Sequence, residues 1–519
     1  MALPRTVARA AAPAPRPRID RLSIQNYRAF PGVGNPDIVL GGKNLLVYGE
    51  NGSGKSSVFH ALDDFFSISA ADPRARRKLL ESETNIYSDE GPDKTSVAVQ
   101  FVGDAAPIVW DKTSHPVDFG RSLSVVAGAY RKAMLDYRAL LAVNYKFLGK
   151  RINLFEAFVQ VLLRDLAVPF MGSEKELSTI WSEVLVQFAE RHVDSRRDFI
   201  DDMLTAINAA IDGVLAPLKD EANRLLAALK WHDLEIDEFA FSHLGCNWRA
   251  ARRDRKVRGQ RISLTLEQRG EEVTDPHHLL NEARQSGLAL ALYLAGRCLA
   301  SQTMQPDTPK LMVLDDVLVG LDQSNRLPML DLLKSEFGDW QIVLLTHDRV
   351  WFEMARAHLP ETTWVGLEMF EGLDGDGNTH PVQRPLNNFD AVGGNLQTAR
   401  DFLAANHEKA AAVHARMAFE QVLKKFCVRK GVPVPFRDDP RHMTTADLLD
   451  GMKKWLLEPA RAAQNSILQP KIVDVEAARR VVLNAFSHST PVTLARAEIE
   501  NAIDAVEMLH AELRAQFPR

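Results

Sequence analysis

The chain of 519 residues is long enough for two or three domains of the usual size, roughly 100 to 200 residues each. Its composition, 46% hydrophobic and 25% charged, is typical of a soluble globular protein, and no apolar run reaches the roughly 20 residues that span a bilayer. A formal net charge of −5 argues against a uniformly basic nucleic-acid-coating protein. Three scattered cysteines exclude a disulfide framework and predict a reducing, cytoplasmic location.

The N-terminal stretch, residues 1–17, is rich in alanine, proline and arginine and contains no acidic residue. Its prolines would interrupt the amphipathic helix of a transit peptide, and it has no apolar core of the kind found in secretion signals. We therefore expect a disordered tail.

A strand, a glycine-rich loop and a helix follow one another near the N-terminus. Residues 44–48 form an apolar run typical of a buried strand, and apolar residues return at helical spacing after the loop. Glycines let backbone N–H groups converge on phosphate oxygens, while a lysine reaches the terminal phosphates and a serine ligates magnesium. The predicted loop for ATP and Mg²⁺ consists of Gly49, Glu50, Asn51, Gly52, Ser53, Gly54, Lys55, Ser56 and Ser57.

The strand that opens the ordered part of the chain carries a family resemblance. Residues 19–27 alternate apolar and polar side chains, and the strand closes in Asn-Tyr-Arg-Ala-Phe at residues 26–30. Together with the glycine-rich loop, this opening resembles that of RecF/SMC-type ABC ATPases. The resemblance implies an α/β P-loop NTPase fold, with a small β-subdomain and a helical insertion in the ABC head. It also places Arg28 near the nucleotide base or α-phosphate, the alternative being a surface arginine in a turn.

The same resemblance organises the middle of the chain. We expect the ABC ATPase head in two parts, residues 18–150 and 246–370, separated by a helical insertion lobe at residues 151–245. Residues 153–229 have helical periodicity without the sustained heptads of a coiled coil. Residues 130–141 occupy the place of the family's Q-loop, but no glutamine stands there.

The densest basic run covers residues 249–261 and includes Arg252, Arg253 and Arg255. Such a run can follow the backbone of DNA or RNA. It can equally be a solvated hairpin tip, and no aromatic residue is interleaved to stack on bases. Both interpretations stay open at this point.

Residues 280–286 stand directly before a strongly apolar helical stretch, in the position of the ABC signature. In the family this motif caps the γ-phosphate held by the opposite subunit, with a short polar side chain and a helix N-terminus. The resemblance therefore implies that Asn281 and Glu282 contact nucleotide bound by a second copy. Ala283 stands where the family has a glycine.

Two carboxylates follow the apolar strand at residues 310–314. Asp315 is placed to reach the magnesium that Ser56 holds. By resemblance, Asp316 replaces the family's glutamate as general base for the attacking water, and its side chain is shorter by one methylene, which predicts slow hydrolysis. The segment that follows resembles the D-loop of the dimer interface and ends in Asp322.

A further apolar strand, residues 341–346, ends in His347. A lone histidine after such a strand is often structural, but in this order it resembles the switch histidine that reaches the γ-phosphate. The implied catalytic set is Lys55, Asp316 and His347.

The C-terminal part begins after a stretch rich in Gly, Asp, Asn and Pro, residues 371–398, which predicts a linker. Residues 399–519 have helical periodicity and predict an all-α bundle. Within it Arg480, Asn484 and His488 distantly resemble the motif of HEPN ribonucleases, and an ABC head with such a bundle resembles PrrC- and RloC-type anticodon nucleases. Leu483 stands where that motif has arginine. The alternative is a bundle for oligomerisation or effector binding.

These expectations combine into one function. Two heads, or a higher even number, would close around two Mg-ATP, hydrolyse ATP and control a separate nuclease effector in antiphage defence, as in the Septu-type ATPases that the chain resembles. The alternatives are a self-contained HEPN-like ribonuclease toxin gated by ATP, a DNA-repair or recombination ATPase stimulated by nucleic acid, and a nearly inactive ATP-binding scaffold.

Overall fold

The computed structural model describes the chain from residue 16 to residue 518 with several gaps. The gaps are residues 69–72, 115–132, 148–152, 165, 190–192, 252–254, 274–279, 303, 305–307, 361, 374–377, 387–390, 405–406, 436–443 and 480–495. The first 15 residues of the predicted tail lie outside this range. The structure divides into two compact units, Met1–Pro385 and Leu386–Arg519.

The first unit contains the strands, which are numbered here along the described chain. They are β1 (Ile19–Gln25), β2 (Ile38–Val39), β3 (Asn44–Gly49), β4 (Ser96–Phe101), β5 (Ile108–Trp110), β6 (Ala133–Asp136), β7 (Ala167–Phe170), β8 (Ser173–Glu176), β9 (Leu234–Phe241), β10 (Gly245–Cys246), β11 (Val257–Arg258), β12 (Ile262–Gln268), β13 (Glu271–Val273), β14 (Leu311–Asp315), β15 (Gln341–Thr346), β16 (Trp364–Leu373) and β17 (Thr379–Leu386).

Helices of at least ten residues occur in both units. They are α1 (Lys55–Ile68), α2 (Pro73–Glu83), α3 (Tyr137–Phe147), α4 (Leu177–Ala189), α5 (Arg197–Ala228), α6 (Glu282–Gln302), α7 (Gln323–Glu336), α8 (Arg349–His358), α9 (Ala391–Ala404), α10 (Glu408–Lys430), α11 (Thr445–Leu456), α12 (Ala462–Ala478) and α13 (Arg496–Gln516). None of these described helices combines the length and the apolar character needed to cross a membrane.

A six-stranded sheet forms the centre of the first unit, in the order β17-β16-β3-β15-β14-β6. The pairs from β16 to β6 are parallel. All residues of β14 and β15 are buried, because parallel strands are covered on both faces and therefore have continuous apolar sequences. The carboxyl ends of β3, β15, β14 and β6 consequently meet at one edge of the sheet, where open α/β sheets bind ligands.

A four-stranded antiparallel sheet, β2-β1-β4-β5, shares a core with the central sheet through α1. Val58, Leu62 and Phe65 of α1 belong to the same buried cluster as Val47 of β3 and Val99 of β4. The helix that follows the glycine-rich loop is thus fixed on both sides. This arrangement holds the start of α1, and with it the loop, in one position.

The lobe between the two parts of the central sheet contains helices and strands. The long helix α5 buries apolar residues along most of its length, and the sheet β13-β12-β9 lies beside it. The expected helical insertion, residues 151–245, therefore also includes β7, β8, β9 and β10. Helical periodicity did not reveal the β7–β8 hairpin because its strands are four residues long. Its turn, Met171–Gly172, has positive φ at both residues, as tight hairpins require.

The segment expected as a linker, residues 371–398, is largely regular in its described part. It holds the end of β16, the whole of β17 and the beginning of α9. A polar, glycine-rich composition is typical of linkers. However, β17 extends the central sheet beside β16, where edge strands tolerate polar residues and prolines.

The second unit is a bundle of the helices α9 to α13. Its core contains Leu396, Phe419, Leu449, Ile472 and Ile503, one from each helix in turn. The prediction of an α/β P-loop fold with an additional all-α region is confirmed.

Candidate functional site

The glycine-rich loop between β3 and α1 has a backbone that requires glycine. Gly52 and Gly54 both have φ of 91°, a region that other residues rarely adopt. A Cβ atom at Gly49 would lie 2.2 Å from Ser53 Oγ. The loop closes on itself, since Ser53 N donates to the Glu50 carbonyl over 3.1 Å. The glycine spacing seen in the sequence is therefore a geometric requirement of this turn.

Lys55 is the first residue of α1 and is nearly buried, with 5% of its surface exposed. Its Nζ donates to the Glu50 carbonyl over 3.1 Å, which uses one of the three ammonium donors. Burial lowers the pKa of Lys55, while the nearby carboxylates of Asp316 and Asp315 act in the opposite direction. The ammonium is thus held at the loop, next to two carboxylates.

Ser56 and Asp315 join the glycine-rich loop to the end of β14. Ser56 Oγ donates to Asp315 Oδ2 over 2.9 Å, although 259 positions separate the two residues in sequence. Asp315 is 6% exposed, and its Oδ1 finds no hydrogen-bond partner among the described residues. Burial raises the pKa of Asp315 to about 6, with Asp316 adding to the effect and Ser56 opposing it.

This pair fits a magnesium ion. A hydroxyl oxygen and a buried carboxylate with an unsatisfied oxygen are hard oxygen ligands. Magnesium typically takes one or two such protein ligands and completes its octahedron with phosphate oxygens and water. Among the described residues, no group of three or more His, Cys, Asp or Glu side chains is placed to hold a metal ion.

Asp316 and His347 form a second pair at the same edge. Asp316 leaves β14 in a left-handed conformation, with φ of 57°, and its backbone N–H donates to the Leu345 carbonyl over 3.0 Å. Its Oδ1 accepts a hydrogen bond from the His347 backbone N–H and lies 2.9 Å from His347 Nδ1. The His347 side chain is 41% exposed and that of Asp316 19% exposed. A carboxylate and an imidazole therefore stand together where β14 and β15 end.

Arg28 lies in a turn that contacts α1, the helix that follows the glycine-rich loop. It has a positive φ of 48°, its backbone N–H donates to the Glu83 carbonyl over 2.7 Å, and its guanidinium pairs with the Glu83 carboxylate. The next residue, Ala29, donates its N–H to Ser57 Oγ over 3.3 Å. Arg28 is thus a turn residue close to the start of α1, and its role beside the nucleotide stays a prediction.

Asn281 is the N-cap of the long, buried helix α6. Its Oδ1 accepts the backbone N–H of Arg284 over 2.9 Å, and both Asn281 and Glu282 are exposed. The start of the helix is fixed from the side by residues of the lobe. Arg284 pairs with Asp233 at 2.8 Å and lies over the ring of Trp231, 5.8 Å from its centroid.

Asp322 precedes α7, is exposed, and makes no side-chain cap hydrogen bond to that helix. The segment leading to it is held by Arg326, a residue that sequence reasoning missed. The Arg326 guanidinium donates to the carbonyls of Val319 and Leu321 over 3.0 and 2.9 Å and to Asp348 Oδ2 over 2.7 Å. Asp348 directly follows His347 and caps α8.

A comparison of the sequence with protein-family models finds a match in the N-terminal part of the chain. Residues 21–130, which include most of β1, the strands β2 to β5 and the glycine-rich loop, match the family model described as an AAA domain. The chain has the α/β fold of a P-loop ATPase. No curated protein matches its sequence.

Solved structures similar to this P-loop ATPase fold include SMC head domains. One is the Smc head domain with an extended coiled coil bound to the C-terminal domain of ScpA, from Pyrococcus furiosus. It is 12% identical with a TM-score of 0.38, and 71% of this chain and 97% of that chain are covered. Another is the SMC head domain from Thermotoga maritima, which is 15% identical with a TM-score of 0.31, covering 71% and 99%. At this level of similarity, function has to be argued from the chain's own residues.

The predicted site residues that the structure describes fall into two groups. The phosphate-loop group joins Lys55, Ser56, Asp315, Asp316 and His347 through the contacts above. The helix-start group comprises Asn281, Glu282 and Asp322. Its two segments are in contact, since a Cβ at Gly320 would lie 3.0 Å from Ser286 Oγ on α6.

Other predicted residues lie outside the described part of the chain. These are the candidate nuclease residues Arg480, Asn484 and His488, and Arg252 and Arg253 of the basic run. Their proposed roles stay predictions. The neighbouring Arg255 is described, and its Nε donates to the Ala250 carbonyl over 3.0 Å.

The sequence did not predict a role for Trp231 and Asp233 either. They follow α5 in sequence yet hold the start of α6, and a Cβ at Gly287 would lie 2.1 Å from the Trp231 ring. The tryptophan and the glycine gave a weak sequence signal, because a close approach between a ring and a helical backbone becomes visible only once both partners are placed.

Proposed function

We propose that this chain is an ATP-hydrolysing enzyme of the RecF/SMC-like ABC class, and that two copies close head to head around two Mg-ATP. One observation carries the proposal. The Ser56–Asp315 and Asp316–His347 pairs stand beside Lys55 at a single edge of a parallel sheet, next to a loop whose backbone only glycine can adopt.

The phosphate-loop group divides the chemistry among its members. The loop N–H groups and Lys55 bind the terminal phosphates. Ser56 and Asp315 would hold magnesium, which when bound neutralises charge on the phosphates. Asp316 accepts a proton from the attacking water. His347, whose backbone N–H donates to the Asp316 Oδ1 and whose ring lies beside it, keeps that carboxylate in position. An aspartate reaches less far than a glutamate, so turnover is slow.

The helix-start group supports the dimer. The N-terminus of α6, a helix of 21 residues, carries partial positive charge and presents two exposed polar side chains. Asn281 uses its oxygen as a cap, which leaves its amide N–H₂ to donate to an anion. In the dimer this group meets the γ-phosphate bound by the phosphate-loop group of the other copy.

Dimer closure could act on hydrolysis through a single side chain, that of Arg326. Arg326 joins the backbone before Asp322 to the carboxylate of Asp348, the neighbour of His347. A partner copy that presses on the Asp322 segment would therefore act on the position of His347 through one side chain. Arg326 is a positioning residue in this scheme.

The proposed output is control of a separate nuclease effector in antiphage defence. This rests on the resemblance of the sequence to Septu-type ATPases and on a second, all-helical unit that could receive a partner. Co-purification of the untagged product of a neighbouring nuclease gene, lost in a chain that ends at residue 385, is the expected result.

The ATPase proposal is tested with Lys55→Ala and Asp316→Asn. Wild type should bind ATP with magnesium, release phosphate slowly and form dimers in light scattering when ATP is present. Lys55→Ala should lose all three properties. Asp316→Asn should bind ATP and dimerise but lose phosphate release by a factor of about 100 or more. Lys454→Ala, an exposed lysine of the second unit, is the matched control. Wild-type phosphate release in Lys55→Ala would refute the proposal.

A further inference from the structure

The strand β16 runs past the carboxyl end of β3 and lies against the glycine-rich loop. Met369 pairs with Gly49 in the parallel register, and its carbonyl oxygen would lie 2.9 Å from a Cβ atom at Gly49. On the neighbouring strand β17, Pro381 Cγ would lie 2.7 Å from a Cβ at Gly54. Both strands thus pack on the loop that the proposed function assigns to phosphate.

Glu371, near the end of β16, brings a carboxylate to the same loop. A Cβ at Gly52 would lie 3.5 Å from Glu371 Oε2 and 3.8 Å from its Oε1, so both oxygens lie directly beside the loop backbone. The Glu371 side chain is exposed, and no hydrogen bond or ion pair engages it within the described residues. By contrast, the buried Glu368 of the same strand pairs with Arg349 and Arg384. The negative charge of Glu371 therefore acts on the loop without an arginine beside it.

Several carboxylates surround the phosphate loop. Lys55 supplies a positive charge, but the carboxylates of Asp316 and Asp315 are close enough to act on its pKa, and Glu371 adds a further negative charge. Free ATP carries about four negative charges, and one bound divalent cation cancels about half of them. Because Coulomb repulsion is proportional to the charge of the ligand, a carboxylate fixed beside the loop opposes metal-free ATP more strongly than magnesium-bound ATP.

We infer that Glu371 is a specificity-determining residue that disfavours metal-free ATP at the glycine-rich loop more than it disfavours magnesium-bound ATP. This inference rests on the proposed ATP-binding function and adds a residue that the predicted site did not contain. In that function Ser56 and Asp315 hold the cation, whereas Glu371 penalises a nucleotide that arrives without one. Glu371 acts through its charge and its place beside Gly52, and it needs no contact with the metal.

The experiment compares affinities for ATP with magnesium and for ATP with a chelator, measured by calorimetry on wild type and two variants. Glu371→Gln removes the charge and keeps the size of the side chain. It should bind metal-free ATP about tenfold more tightly than wild type and magnesium-bound ATP only about threefold more tightly. Glu371→Asp keeps the charge and should stay closer to wild type than to Glu371→Gln. Glu238→Gln, which neutralises an exposed glutamate of β9, is the matched control.

Ionic strength separates a charge effect from a structural one. Salt screens exposed charges, and the screening length falls from roughly 10 Å at 0.1 M to roughly 3 Å at 1 M. The tenfold gain of Glu371→Gln for metal-free ATP should therefore shrink to about twofold or less as the salt concentration rises over this range. A change in the packing of the loop would not depend on salt in this way.

Each other outcome overturns the inference in a recognisable way. Unchanged affinity for metal-free ATP in Glu371→Gln removes the role of Glu371 and leaves the proposed function intact. An equal gain for both forms of ATP that persists at high salt would mean that the substitution acts on the loop backbone. Weaker binding of both forms would mean that Glu371 supports the loop or contacts the nucleotide. A wild-type protein that binds ATP in neither form would sink the proposed function itself.

Discussion

The phosphate-loop group and the helix-start group differ in how far one chain completes them. In the first, Asp315 and Lys55 are buried, and each is bonded to another part of the same chain. In the second, Asn281, Glu282 and Asp322 are exposed, and among the described residues Asn281 and Asp322 accept hydrogen bonds from backbone N–H groups close in sequence. The phosphate-loop group is thus complete within one chain, whereas the helix-start group is a rigid, polar surface.

In the proposed function, this contrast lets assembly control chemistry. The buried Asp315 carboxylate, with its unsatisfied oxygen, would bind the cation within a single copy, so ATP binding would need no partner. Stabilising the γ-phosphate in the transition state takes further donors. In the proposed dimer those donors come from the helix-start group, whose backbone is held by Arg284 and Arg326.

The largest expected effect separates the two groups by mixing variants. Alone, Lys55→Ala should abolish ATP binding. Asn281→Ala alone should keep ATP binding and lose phosphate release by a factor of about 100, the usual effect of deleting a donor to developing negative charge. In a dimer of one variant chain with the other, one composite site combines an intact Lys55 with an intact Asn281. The 1:1 mixture should therefore recover a substantial part of wild-type phosphate release.

The control for the mixing experiment is Asn281→Ser, which keeps a capping oxygen and a hydroxyl donor. It should retain most activity, because both the cap and a donor are kept. Loss of the cap, as in Asn281→Ala, would by itself cost only about 1 kcal/mol of stability. Absence of recovery in a mixture that light scattering shows to contain mixed dimers, with both variants folded, would show that both groups serve the same copy.

A smaller effect is expected at the connection between the groups. Arg326→Ala removes hydrogen bonds to Val319, Leu321 and Asp348. We expect ATP affinity to stay within about twofold of wild type, while kcat falls about tenfold, since a misplaced catalytic group costs rate and not binding. Arg326→Lys should recover little, because an ammonium cannot reproduce the planar fork of guanidinium donors. A changed Kd with unchanged kcat would contradict a positioning role.

The phosphate-loop group could be predicted from the sequence largely because its chemistry restricts residue type at fixed places. A backbone with φ of 91° at Gly52 and Gly54 admits little besides glycine, and carboxylates useful to magnesium belong at strand ends. Ser56 and Asp315 meet across 259 positions, yet each is recognisable from its own local pattern.

Arg326, Trp231 and Asp233 could not be predicted because their partners are defined only by the folded chain. Arginine on a polar helix face and tryptophan at a helix end occur in many contexts, and a local pattern does not tell them apart. The β7–β8 hairpin and β17 were missed for a similar reason. Short or polar strands gain their stability from pairing, in this case from β16 beside β17, and not from their own periodicity.

The smallest expected effect concerns pH and tests how much burial of the phosphate-loop group lowers the free energy of unfolding. Burial raises the pKa of Asp315 to about 6, above the roughly 3.9 of an unfolded aspartate. Protonated Asp315 therefore favours the folded state, fully so below pH ~4, and this stabilisation is lost as the pH rises through about 6. Asp315→Asn removes the titration. Without nucleotide, the variant's free energy of unfolding should exceed that of wild type by on the order of 1 to 3 kcal/mol at pH 8, and the difference should shrink towards pH 4.

The measurement for Asp315 is urea denaturation of both proteins at several pH values, with and without magnesium and ATP. Asp64, whose pKa burial also raises to about 6, is present in both proteins and cancels from the difference. Magnesium and ATP should reverse the order at pH 8, since a cation that binds the ionised carboxylate stabilises only wild type by mass action. A pH-independent difference would mean that Asp315 is ionised at no cost. The phosphate-loop group would then be as solvated as the helix-start group, and the contrast between them would disappear.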